Sequence, residues 1–194
     1  MNNTIIPNLF RPRRVSTLLL GAMALVATST AGFAAKTAEE VEASVNAAIK
    51  RFHASVDGSE EVIKNAKGIL IMPNVKKGGF VVGGEFGRGA LRVDGKTVTY
   101  YKMAAASVGL VAGVESKDIL LAFMTDEALK KFQDSKGWEA GVDGSIAIWK
   151  KGAGDRTSIG KSKEPILGFI FGNKGLMGDL SLSGSKITSF VPKD

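Results

Sequence analysis

The 194-residue chain has no cysteine and a single histidine. Without cysteine there are no disulfides, thiolate metal sites or cysteine nucleophiles, and no lipid-modified N-terminal cysteine, so a lipoprotein is not expected. One histidine leaves too few nitrogen and sulfur ligands for a zinc-type centre, and neither a metal nor a cofactor is expected. Tryptophan and tyrosine occur only twice each. No alternation of aromatic and basic residues offers a base-stacking platform, so nucleic acid is not an expected partner. A membrane-spanning helix needs about 20 apolar residues. The run from Leu18 to Ala27 has ten.

That short run fits an export signal instead. Arg11, Arg13 and Arg14 precede it, and Gly32-Phe33-Ala34 supplies small residues for cleavage after Ala34. The expected organisation is a signal peptide over 1–34 and a single domain over 35–194, periplasmic or secreted. Arg13-Arg14 admits a twin-arginine route, but Ser16 and Thr17 stand where that signal is more apolar, which favours the general secretory route. The whole chain carries 26 basic and 19 acidic residues. Removing the three signal arginines leaves 23 against 19, a net +4, compatible with an anionic membrane surface and equally with plain solubility.

What the chain has in abundance is glycine, 24 in all. Two glycine-punctuated apolar runs stand out, Gly78 to Leu91 and Gly168 to Ile187. Glycine weakens strands, and at this density it signals bulges, sharp curvature or close backbone approach. Around these runs the periodicity predicts an amphipathic helix over 36–56, with Val41, Val45, Ala48, Ile49, Phe52 and Val56 on one stripe. The glutamates on its polar side favour a core-packing face over a membrane-inserting one. Ser59 is the expected cap of a second, short helix through about Ala66. Strands are expected at 69–72, closed by Pro73-Asn74, then at 80–82 and 86–93. Asp94-Gly95 turns the chain into a strand over 97–103. Further strands are expected over 107–114 and 119–124. Thr125 caps a helix over 126–133. Residues 137–149 read as one strand or a hairpin around Gly144. After a basic loop over 150–163, strands are expected at 166–171 and 176–182, joined by a turn at 172–175, and at 187–191. This order predicts an α+β fold, N-terminal helices packed on a strongly curved, mainly antiparallel sheet that is barrel- or sandwich-like.

Ala66 to Pro73, followed by Lys76 to Gly84 and by Gly87 to Leu91, resembles the opening signature of the SYLF domain family. Thr97 to Ala112, Phe123-Met124-Thr125, Gly137 to Val142 and Phe171 to Thr188 resemble its exported bacterial branch. The resemblance covers nearly all of 35–194. It implies a lipid-binding module, since eukaryotic members bind phosphoinositide membranes, partly through an N-terminal amphipathic helix, and some associate with actin. Many members carry a W-S-x-P stretch where this chain has Val98-Thr99-Tyr100-Tyr101. No SH3-type partner domain is read either, so actin and endocytic roles are not carried over.

Candidate chemistry is sparse. Gly154 to Ser162 approaches a phosphate-binding loop, but its spacing is one residue too long and Pro165 stops the helix that should follow. No G-x-S-x-G elbow occurs, and no serine or carboxylate motif points to His53, which reads as a helix residue. No catalytic residue is expected. Glu85, an acid inside a glycine-rich strand, is expected to pair with Arg88 or Arg92. Cations near apolar surface are the candidate lipid contacts: Lys76, Lys77 and Arg88 by the first glycine run, and Lys150, Lys151, Arg156, Lys161 and Lys163 in the basic loop. The loop reads equally well as solvated surface. The expected function is therefore a non-enzymatic protein that binds anionic phospholipid or a membrane surface, with an envelope structural or protein-partner role as the alternative.

Overall fold

The computed structural model describes residues 37–79, 82–108, 114–149, 163–174, 182 and 184–193. All of them fall in one unit, 35–194. Helix α1 (Ala38–Ser55) opens with a capping box. The Thr37 hydroxyl accepts from the Glu40 N–H, and the Glu40 carboxylate accepts from the Thr37 N–H. Its stripe of Val41, Val45, Ala48 and Phe52 is buried, so this face packs a core. Phe52 lies 5.1 Å and 5.2 Å, ring to ring, from Phe169 and Phe171. Helix α2 (Ser59–Asn65) is capped one residue earlier than expected, at Gly58, whose φ of 77° takes the break. Ser59 is thus the first helical residue, with its hydroxyl 3.1 Å from His53 Nδ1.

Eight strands follow: β1 (Gly68–Gly79), β2 (Val82–Val93), β3 (Lys96–Val108), β4 (Val114–Phe123), β5 (Trp138–Glu139), β6 (Ala147–Trp149), β7 (Ile166–Lys174) and β8 (Lys186–Phe190). Helix α3 (Asp126–Asp134), capped by Thr125 as expected, separates β4 from β5. One sheet holds them in the order β5-β8-β3-β2-β1-β4-β7-β6. Every pair is antiparallel except β6 with β7. The fold is α+β with a strongly curled, mainly antiparallel sheet, as the sequence implies. Asp94 and Gly95 both take positive φ, 49° and 75°, which a two-residue hairpin turn with the strand's own twist requires.

Three expectations change. Pro73-Asn74 does not close β1. The strand runs through a bulge there, with Asn74 at φ 50° and register shifts against both neighbours. The turn expected from Gly172 is likewise a bulge, and β7 continues to Lys174 with Gly172 at φ 62°. Residues 137–149 form neither one strand nor a hairpin. Their two ends join opposite edges of the sheet, β5 beside β8 and β6 beside β7. Between them Gly141 takes φ 83°, and the Asp143 carboxylate accepts the Glu139 N–H at 2.6 Å, holding a tight turn. One short strap thus links both edges, which is possible only because the sheet curls. The strands expected at 80–82 and 176–182 fall mostly outside the described residues.

The sheet has a core on each side. The outer one, under α1 and α2, gathers Ile69, Ile71, Ala90, Leu120, Phe169 and Phe171. The inner one, under α3 and the strap, gathers Leu70, Met72, Leu91, Leu121, Phe132 and Trp138. Gly89 is where the β1 bulge presses hardest, since a Cβ there would overlap the Ile71 carbonyl and sit 2.8 Å from Met72 Sδ. Two ion pairs anchor α1. Arg51 donates to Asp118 from Nε at 2.6 Å and Nη2 at 3.0 Å, and Asp118 also accepts the Asn74 N–H at 2.8 Å. The hydrogen bond to Asp118 raises the Arg51 pKa further. Arg92 Nη2 donates to Glu42 at 2.6 Å and to Asn46 at 2.8 Å. Burial alone would raise the Glu42 carboxyl, but hydrogen bonds from Thr97, Arg92 and Tyr100, with the Arg92 charge, outweigh it and hold the pKa below the ordinary value.

Candidate functional site

Strand alternation sorts the candidate lysines. Lys76 and Lys77 are neighbours in β1, so they point to opposite sides of the sheet. Lys77 turns inward, where its Nζ lies 3.8 Å from Glu85 Oε1. The buried Lys117 of β4 reaches the same carboxylate, 3.2 Å from Oε1 in hydrogen-bond geometry and 3.0 Å from Oε2 outside it. Glu85 therefore pairs with Lys117 and Lys77, not with Arg88 or Arg92. Arg88 is three residues away in β2 and faces the other side. Arg92 lies beyond the contact range of that end and is engaged by Glu42.

Lys76 turns outward and is exposed. Register brings other cations to the same face. Lys76 stands opposite Phe86, Phe86 opposite Ala104, and Ala104 opposite Lys186, a row across β1, β2, β3 and β8. One step along the strands, Arg88 stands opposite Lys102, and Lys102 opposite Thr188. Lys102 and Lys186 are exposed and Arg88 half-buried. With strands about 4.8 Å apart, Lys76 and Lys186 are separated by about 14 Å at the backbone. Between them lie Ala104, exposed, and Phe86, 44% exposed. Among the described acids of this face, Asp118 is bound to Arg51, and Glu139 bounds the face at the β5 edge, opposite Lys186.

The structure thus brings Lys76 and Arg88 together and sets Lys77 apart. It adds Lys102 and Lys186, which the sequence reading missed. Lys102 was nearly legible. Counting back from the Asp94-Gly95 turn puts Arg88 opposite Tyr101. The extra residue Val98, where the register shifts, moves the partner to Lys102. Lys186 depends on the β3–β8 pairing, for which no local signal exists. Lys163 is exposed just ahead of β7. Lys150, Lys151, Arg156, Lys161 and the phosphate-loop lookalike lie outside the described residues.

Elsewhere, a shallow open groove of about 510 Å³ runs beside α3, lined by Glu127, Lys130, Lys131, Asp134, Trp138 and neighbours. Among the described residues no group of three His, Cys, Asp or Glu is placed to hold a metal ion. No helix among them is long and apolar enough to cross a membrane.

Residues 104–190 match the family model Ysc84, described as Las17-binding protein actin regulator. No curated protein matches the chain. The matched segment begins in β3 at Ala104 and ends at Phe190, the last residue of β8, so Ala104↔Lys186 is the one β3–β8 pair that it holds whole, and Lys76, Arg88 and Lys102 lie before it. The match, over residues 104–190, supports the resemblance to the SYLF (Ysc84) domain family.

Proposed function

We propose that this is an exported, non-enzymatic domain that docks onto anionic phospholipid membranes through the outer face of β1, β2, β3 and β8. The observation that carries the reading is the set of four cations, Lys76, Arg88, Lys102 and Lys186, gathered by register on one face. Each cation near an anionic leaflet contributes about 1 kcal/mol, so the three exposed lysines contribute on the order of 3 kcal/mol at low salt. That corresponds to roughly a hundredfold in partition. The effect falls off over about 10 Å at 0.1 M salt. Glu85, tied to Lys117 and Lys77, serves in this reading as a structural ion pair rather than a catalytic acid.

The test is vesicle flotation of residues 35–194, the unit that holds both cores and all eight strands. The domain should float with phosphatidylglycerol vesicles, stay behind with phosphatidylcholine alone, and lose binding as salt rises. Equal flotation with both lipids, or none, refutes the reading. The competing role, an envelope protein-interaction module, is favoured by the groove beside α3. It would gain if cross-linking in envelope fractions captured one saturable partner while lipids failed to bind.

A further inference from the structure

The tip of the strap carries an apolar side chain that the fold does not use. Residues 139–143 close a tight turn, in which the Glu139 carbonyl accepts from the Val142 and Asp143 N–H groups at 3.2 Å and 2.9 Å. Gly141 supplies the positive φ. Nothing in that turn calls for valine at the next position, since turns draw on glycine, proline, asparagine, aspartate and serine. Val142 nevertheless stands there 72% exposed and belongs to neither core. A lone exposed valine needs no explanation. This one adjoins the groove beside α3, because Asp143, the next residue, is part of the groove's lining.

The groove is the complement of such a knob. Trp138 lies in its lining, held by the strap so closely that a Cβ at Gly144 would come 2.9 Å from the ring. Its helical wall is Glu127, Lys130, Lys131 and Asp134, which share one face of α3. The rim therefore carries both signs of charge, with Lys130 tied to Asp134 at 2.8 Å. A strongly charged foreign surface would meet like charge there as often as opposite. A second copy would not, because a two-fold axis sets Asp143 of one copy toward Lys130 and Lys131 of the other. Helices α1 and α2 pack on the other side of the sheet, so neither stands over the groove. A knob and a groove side by side on one face are what a two-fold interface requires, since each copy then gives its knob and receives the other's. We propose that the domain self-associates as a two-fold dimer, with Val142 of each copy seated in the α3 groove of the other. The inference goes beyond the membrane-docking reading and does not depend on it.

Sedimentation velocity on residues 35–194, from about 5 to about 500 μM, reads the monomer–dimer equilibrium. The average mass should climb toward that of two copies with a midpoint on the order of 100 μM, since the interface is at the small end for specific ones. Val142→Asp should weaken association at least about tenfold, because it puts a charge where an apolar knob leaves water. Val142→Ile should keep it. The position is exposed, so both variants should unfold like the parent, which the fluorescence of the buried Trp138 checks. The cysteine-free chain allows a second reading. Val142→Cys and Glu127→Cys are made singly, mixed and treated with a short bismaleimide. The mixture should cross-link faster than either variant alone. A monomer mass at every concentration overturns the proposal and leaves the groove to a foreign protein. Association untouched by Val142→Asp, or Val142→Cys linking mainly to itself, means another surface holds the copies, and overturns it too. No vesicle enters these measurements, so their failure leaves the membrane reading standing.

Discussion

Asp118 offers the sharpest test of how the outer layer is held. Its carboxylate is 2% exposed and accepts three hydrogen bonds, two from Arg51 and one from the Asn74 N–H. It thereby joins three features: the last turns of α1, the β1 bulge at Asn74 and the register shift between β4 and β7. In Asp118→Asn the amide oxygen, in the place of Oδ1, can still accept from the Asn74 N–H and from Arg51 Nη2. Its NH2, in the place of Oδ2, faces Arg51 Nε, donor against donor, and that bond is lost. Hydrogen bonds to a charged group contribute about 1.5–3 kcal/mol each. The Arg51 side chain is 38% exposed and can rehydrate, which cuts the loss by about half. With the remaining Nη2 bond weakened by the loss of the charge, the expected cost is about 1–2 kcal/mol, or about 2–8 °C in Tm for a domain of this size. Arg51→Met should cost more, about 3–5 kcal/mol, because it leaves the carboxylate buried, charged and stripped of its cation. Urea unfolding followed by the fluorescence of the buried Trp138 measures both. Either variant within about 0.5 kcal/mol of the parent refutes the reasoning, since that is the range of neutral surface changes. So does Asp118→Asn costing more than Arg51→Met.

Two other perturbations have clear expected outcomes. Gly89→Ala drives a methyl into the Ile71 carbonyl across the β1 bulge. It should cost at least about 3 kcal/mol, seen as a large drop in Tm or in soluble yield. The Glu42 pKa is lowered in the folded state, so its contribution is fully present above the unfolded carboxylate value and is lost as pH falls through the folded one. Urea midpoints should therefore fall on acidification below about pH 4.5, the ordinary value. Glu42→Gln should be less stable at pH 7 and lose less than the parent on acidification. An unchanged pH profile in that variant would remove Glu42 from the account.

The sequence carried the local features well. Thr125 caps where a polar residue precedes helical periodicity, and the positive φ pair at Asp94-Gly95 is written in the residue types. Glycine density correctly indicated a curled sheet. What it could not say is which glycine serves which neighbour. Gly89 is demanded by a carbonyl eighteen positions earlier in the chain, brought close by a bulge that looked like a strand end. The strap was misread because Trp138 to Trp149 has the composition of a hairpin. Only the closeness of the two sheet edges, a property of the whole sheet, sends its halves to different partners. The candidate face divided in the same way. Adjacent lysines in a strand look like one cluster in the sequence, yet alternation puts Lys77 inside with Glu85 and Lys76 outside. The cations that complete the outer face come from β3 and β8, through one hairpin bulge and one long-range pairing.

The central claim is that location, not net charge, makes the membrane site. Two pairs of reversals separate these. Lys102→Glu with Lys186→Glu, on the outer face, and Lys64→Glu with Lys131→Glu, on exposed positions of α2 and α3, change the net charge by the same amount. Flotation with phosphatidylglycerol vesicles at low salt should be abolished by the first pair and nearly untouched by the second. Equal losses, or a loss from the second pair alone, would contradict the account.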